Sequence, residues 1–319
     1  MAVLIIGAGL VGSQIARTLV EQGERPILMD RAVQPKALGQ IVDLAKVTLF
    51  EGDVLRPLML TQAIRDHAVD EIIHLAANPM LTIGAQKDPY AAIELNIMGT
   101  ANVLEAARVH GLRRVVIASS NVLNHHIEGG EDAGDAMREE AFPRPISIYS
   151  TCKQAIENIG LNYARWFGVD FAAVRYGAVA GPWSGAGGGG PSNIFLNIVR
   201  NALAGNDAIV PATTMEWVYS KDAAAGTILA LRAPSLKTRV FNITMGCLTS
   251  PEELLAAVKS ILPNSRLSIQ TVTEGSPALR SSTRAVNLNR AKEVLGYTPR
   301  FQMVDAVRDL TEWLNTTAD

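Results

Sequence analysis

The sequence predicts an α/β protein built on a doubly wound parallel sheet, and two patterns carry that prediction. Short apolar runs with branched side chains recur through the first half. Each is too short for a helix and suits a strand buried on both faces. Between them lie longer stretches with helical caps, and strands that alternate with helices pair in parallel. Ligands of such sheets settle at the carboxyl ends of the strands, where the conspicuous polar residues of this chain fall.

The 319 residues exceed one small core and fall short of three domains. A sheet domain of residues 1–176 plus about 206–246 is expected, with a smaller α/β lobe of 177–205 plus 247–319 that holds substrate. Basic and acidic residues balance at 29 against 31, a net charge of −2. That balance argues for a small-molecule substrate and against nucleic acid or an anionic membrane as partner. Cys152 and Cys247 are too few for a disulfide framework or a thiolate metal cluster; a reducing, cytoplasmic compartment and no metal are expected. The apolar start, Ala2 to Ile6, runs directly into glycines without a basic flank, so it reads as a strand and not as a signal peptide or membrane span.

That first strand leads into Gly7-Ala8-Gly9-Leu10-Val11-Gly12 and a helical pattern from Ser13 to Glu21. Strand, Gly-x-Gly-x-x-Gly and helix together make a dinucleotide site: the glycines permit a tight turn, and pyrophosphate rests on the helix N-terminus. The second strand, Pro26 to Met29, ends in Asp30. A carboxylate there accepts hydrogen bonds from an adenosine ribose and repels a 2′-phosphate, so NAD is favoured over NADP, with Arg31 arguing mildly the other way. Val47–Phe50 is a strand leading to Gly52-Asp53-Val54, and Pro57 opens a helix to about His67. Glu71–Ala77 is a strand with a small-residue end. Asp88 and Pro89 cap a long helix that stops at Gly111. Arg114–Ala118 and Asp170–Val174 are further strands, the first ending in Ser119-Ser120.

Tyr149 and Lys153 stand four residues apart on a helical pattern reaching Phe167, which sets an ammonium beside a phenol. A neighbouring positive charge favours the phenolate, which would make Tyr149 a general acid/base for an alcohol. In the second half, Gly185–Pro191 is either a lip over the substrate or a plain surface loop. Ser192-Asn193 precedes a helix from Ile194 to Leu203, Lys221–Leu231 is another, and Val240–Ile243 is a strand. Ser250-Pro251-Glu252-Glu253 is a capping box. His125 and His126 are either substrate contacts or a solvated loop pair.

These motifs stand in the order and spacing of the extended short-chain dehydrogenase/reductase family, also called the NAD-dependent epimerase/dehydratase family, which the chain resembles over nearly its whole length. The resemblance rests on the glycine motif, Asp30, Gly52-Asp53-Val54, His74 to Ala77, Asn96-x-x-Gly99-Thr100, Ser119-Ser120, Tyr149-x-x-x-Lys153 and Arg175-Tyr176. Trp217–Asp222, Phe241–Ile243 and Leu295–Pro299 extend it. It implies a Rossmann-type sheet and a catalytic group of Ser120, Tyr149 and Lys153. By the same resemblance Asp53 and Val54 meet the adenine, Leu75, Ala76 and Ala77 line the cofactor, and Tyr176 lies near the nicotinamide. Asn96 bends its helix and positions a water. Asn121, His125, Asn193 and Arg280 are the implied substrate contacts, and a homodimer through the two long helices is the implied assembly.

Three departures bear on substrate. Leu123-Asn124-His125-His126 replaces a Tyr-Gly pair, Ala178 stands where nucleotide-sugar enzymes carry Asn, and Met215-Glu216 stands where they carry a diphosphate-binding Arg. The expectation is therefore an NAD-dependent dehydrogenase of a small hydroxylated compound such as a sugar acid or polyol. The alternative is an NAD-retaining epimerase or dehydratase acting on a sugar or nucleotide sugar. A non-catalytic NAD-sensing protein comes third.

Overall fold

A computed structural model describes residues 1–77, 87–126, 145, 147–271 and 282–317 of the chain, the side chains of 124–126 excepted. The strands run in order β1 (Ala2–Ile6), β2 (Ile27–Asp30), β3 (Thr48–Glu51), β4 (Val69–His74), β5 (Arg114–Ser120) and β6 (Phe171–Tyr176). They continue with β7 (Ala178–Ala180), β8 (Asp207–Val210), β9 (Met215–Tyr219), β10 (Val240–Ile243), β11 (Leu248–Thr249) and β12 (Arg266–Ile269). Seven form one parallel sheet in the order β10-β6-β5-β4-β1-β2-β3. The order reverses between β1 and β4, which opens a crevice above their carboxyl ends.

Alternate residues of β1 serve opposite faces of the sheet. Val3 and Ile5 join a core with the helices Leu10–Glu21 and Ser220–Arg232, while Leu4 and Ile6 join one with Pro57–Asp66, Gly99–His110 and Ile148–Phe167. Burial on both faces explains why the strands are continuous apolar runs and do not alternate. A third core unites the helices Gly190–Leu203, Pro251–Ile261 and Met303–Thr316 with β9. It lies under a three-stranded sheet, β11-β9-β7, and a parallel pair, β12-β8.

The differences from the expected elements are local and have physical causes. β4 stops at His74, because the N–H groups of Leu75 and Ala76 both turn to Ile6 O, at 2.8 and 2.9 Å. The helix expected from Pro89 to Gly111 contains a π turn over Glu94–Met98. Asn96 makes that turn possible: its Nδ2 donates to Ala92 O at 2.8 Å, filling the gap that a wide turn leaves in the ladder. The helix expected from Ile194 begins at Gly190, so Ser192 and Asn193 lie within its first turn. The first helix begins at Leu10 and not Ser13. Among the described residues no helix is long and apolar enough to cross a membrane.

Candidate active site

Two glycines of the turn, Gly7 and Gly12, are closed to any side chain. Gly7 adopts φ +108°, and a methyl there would lie 2.9 Å from Ala76 N. A methyl on Gly12 would lie 2.0 Å from Gly7 O. Gly9 is the N-cap of the helix Leu10–Glu21 and no side chain caps it, so the N–H groups of its first turn, around Leu10 and Val11, face the crevice end. Asp30 closes the same loop: its carboxylate accepts from Ala8 N at 2.9 Å and from Ala32 N at 3.0 Å. Each oxygen keeps a lone pair for a ribose hydroxyl, and Arg31 is exposed just beyond. Asp53 accepts from Leu55 N at 2.9 Å, while Val54 is buried beside Gly99. Turn, helix end, acid and the small-residue stretch Leu75–Ala77 converge on one slot, and these residues fit a dinucleotide.

The glycine-rich loop lies on this slot. Ala186 N donates to Gln34 Oε1 at 2.7 Å, and Gln34 Nε2 donates back to Ala186 O at 3.3 Å. Trp183, buried, donates its indole N–H to the same carbonyl at 3.0 Å. Gly187 O sits 4.0 Å from where a Gly9 Cβ would be. The segment after β7 thus forms a strap over the cofactor side of the crevice, and neither reading of the loop from sequence anticipated the Gln34 contact.

Tyr149 lies in the first turn of the helix Ile148–Phe167, which Ser147 and Ser150 start with reciprocal capping bonds. That cap fixes the helix end and with it the Tyr149 ring. Its hydroxyl is hydrogen-bonded to Ser120, which ends β5 and also accepts from Val122 N at 3.2 Å. Lys153 lies one turn on, its Nζ 5.5 Å from the Tyr149 ring centre. The ammonium donates to Ala118 O at 2.7 Å. The trio expected from the motif is therefore together at the carboxyl ends of the central strands. The electrostatics differ from the simple expectation. Burial pushes the Tyr149 phenol well above its ordinary value, and the Ser120 bond is what opposes it. Burial likewise pulls Lys153 down to about 8, with Cys152 and Glu157 pulling upward. Desolvation is the largest influence on both groups.

Behind the trio is a buried polar layer in which the motif reading names His74, Asn96, Ser119 and Arg175 but passes over Glu157. Glu157 accepts two bonds from Arg175, at 2.8 and 2.7 Å, and one from Ser119 Oγ. His74 lies close to Lys153, and burial pushes its imidazole down to about 3. Asn96 is buried as well, and its Oδ1 has no hydrogen-bond partner among the described residues. A signal existed: Glu157 is four residues beyond Lys153, and Arg175 precedes Tyr176 in the Arg-Tyr landmark. Tyr176, the last residue of β6, is buried and its hydroxyl bonds that of Thr227.

The substrate side is more diverse. Asn121 is buried next to Ser120. Asn193 is exposed, near Gly188. Arg280 and the side chain of His125 lie outside the described residues. Glu216 is buried in β9 and accepts from Thr244 Oγ1 at 2.6 Å and Val286 N at 2.9 Å. Its carboxyl, raised by burial to about 7, ties the segment at Val286 to β9.

The family model of the NAD dependent epimerase/dehydratase family matches residues 3–244. The chain belongs to that family. NAD is accordingly its cofactor, and the glycine turn, Asp30 and the strand-end slot are suited to hold it. Over 331 aligned positions the chain is 24% identical to a UDP-glucose 4-epimerase of Lactobacillus helveticus, covering 96% of this chain and 94% of that one. The fold is that of the UDP-glucose 4-epimerase of Thermotoga maritima, solved with UDP-glucose, at TM-score 0.84, 23% identity and full coverage of both chains. The UDP-glucose 4-epimerase of Thermus thermophilus, solved with NAD, aligns at TM-score 0.81 and 24% identity over 99% of this chain and 100% of that one.

Proposed function

We propose that this member of the family is an NAD-retaining epimerase of a nucleotide-linked sugar. The observation that carries the reading is the Ser120–Tyr149–Lys153 group beside the glycine turn, in a chain that aligns end to end with 4-epimerases. The relatives weigh for this reading over the net dehydrogenase expected from sequence. The substrate would lie between residues 1–176 plus about 206–246 and the lobe of 177–205 plus 247–319.

Bound NAD supplies a hydride acceptor and donor, together with the positive charge of its nicotinamide ring. With the cofactor as hydride acceptor, Tyr149 would take the proton of the ring hydroxyl whose carbon is oxidised to a ketone. Ser120 donates a hydrogen bond to the same oxygen and holds it in line. Lys153 adds positive charge beside the phenol. On reduction from the opposite face of the ketone, Tyr149 would give the proton back to the same oxygen, and the epimer would result. No net cofactor is consumed, and a strap that slows cofactor loss suits that cycle.

Purified protein incubated with UDP-glucose or UDP-glucuronate is expected to form the 4-epimer, seen by proton NMR, without accumulating NADH. Tyr149→Phe should lower the rate roughly 100-fold or more. Loss of this activity in the wild type, with steady NADH formation from simple polyols or sugar acids, would favour a dehydrogenase of a smaller alcohol. That second reading has one observation behind it: Glu216 stands where an arginine fork would serve a diphosphate, and its carboxylate bonds Thr244 and Val286. The homodimer belongs to the same proposal. Tyr90, Ile93 and Met98 on one long helix stretch and Trp166 and Phe167 on the other are exposed apolar residues, suited to a second copy.

A further inference from the structure

Lys153, Glu157 and Arg175 are three ionisable side chains, each at most 5% exposed, in one layer behind Tyr149. Burying three charges is unfavourable unless they are paired, and among the described residues the Lys153 ammonium has a carbonyl and no carboxylate as its hydrogen-bond acceptor. Arg175 and Glu157 neutralise each other through two hydrogen bonds. Lys153 has a carbonyl, Ala118 O, as its acceptor. The other titratable neighbours leave that balance unchanged. Cys152, on the same helix, is a thiol that burial pushes up, and His74, from the end of β4, is held neutral by burial. The layer therefore carries one surplus positive charge, and an anion on Tyr149 would balance it.

We propose that Glu157 and Arg175 are positioning residues that set the charge behind Tyr149 and so fix the pH at which its phenol can exchange a proton. Glu157 acts along the helix. It lies two turns beyond Tyr149, about 12 Å of helical rise, and one turn beyond Lys153. It also accepts from Ser119, the neighbour of Ser120, so the same carboxylate holds the end of β5. Arg175 opposes it across the β5–β6 pair, where Ser119 and Arg175 are register partners. Removing the negative charge should make the phenolate easier to form, and removing the positive charge should make it harder.

This inference rests on Tyr149 acting as the acid/base, and the experiment separates the two. In the holoenzyme as purified, Glu157→Gln should move the acid limb of the pH–rate profile to lower pH, by about one unit for a charge at that distance in a protein interior. Arg175→Gln should move it to higher pH. Glu157→Asp, which keeps the charge, should leave it in place. The difference in tyrosinate absorbance between each protein and its Tyr149→Phe partner should shift with the same sign, a reading that needs no turnover. If Glu157→Gln does not fold, Arg175→Gln and Glu157→Asp carry the comparison. Loss of rate with an unmoved limb and an unmoved absorbance titration means the pair only holds the fold, and the proposal fails. Full activity in Tyr149→Phe overturns the acid/base reading itself.

Discussion

At the scale of single residues, two buried groups give opposite dependences on pH. Lys153 is held near 8, below an ordinary value of about 10.4. Its charged form is therefore disfavoured by folding. The penalty is full below pH about 8 and disappears as pH rises towards about 10.4, because the unfolded chain holds the proton there and the folded one does not. The effect is on the order of 3 kcal/mol. Lys153→Met is accordingly expected to be inactive yet more stable than the parent at neutral pH, with the gap closing in alkali; equal urea midpoints at both ends would refute this. Glu216 behaves in reverse. Its folded value near 7 lies above the ordinary carboxylate range, so its contribution is complete in acid and is lost as pH climbs through 7. Glu216→Gln should flatten stability between about pH 4 and 7, measured by thermal unfolding.

At the scale of elements, close packing decides more than propensity. Gly160 sits mid-helix, where alanine would ordinarily add about 0.5–1 kcal/mol. A methyl there would lie 2.2 Å from the Phe171 ring, which is fully buried in β6. Gly160→Ala is therefore expected to destabilise by about 1–3 kcal/mol, and a stabilised variant would show that the helix can shift outward. The strap makes a second prediction. Gln34→Ala removes both hydrogen bonds to Ala186, and NAD retained through gel filtration should fall several-fold while the fold persists. These elements differ in how readily the sequence revealed them. β1, β2 and the helix from Ile148 were legible because apolar runs, glycine punctuation and a serine cap point the same way. β7, β8 and β12 were not: Ala178–Ala180 is three residues of no marked preference, and Arg266–Ile269 alternates over only four. The Gln34–Ala186 contact spans 152 residues of sequence, beyond the reach of any local pattern.

At the scale of the whole molecule, the proposed catalytic group of Ser120, Tyr149 and Lys153 was legible because each member sits at a landmark with its own local cause: a strand end, a helix start, one helical turn. The substrate side was not, since it draws on loops and on the third core, where neighbouring residues in space are distant in sequence. The apolar faces of the long helices predict association. Light scattering should give twice the chain mass at micromolar concentration, and Trp166→Glu should return it towards a monomer. A third helical feature reaches across this scale. The π turn at Glu94–Met98 holds one residue more than an α-helix would, so the chain has room to lose one there. A single deletion at Leu95 would restore regular winding and leave the stretch from Asp88 to Ile93 close to its present rotation about the axis, because the extra residue is absorbed within the wide turn. Tyr90 and Ile93 would keep their direction, and Asn96 would lose the gap in the ladder that its bond to Ala92 O fills. Length variation at this one spot would therefore touch the buried surroundings of Asn96 and leave the exposed apolar face of the helix in place.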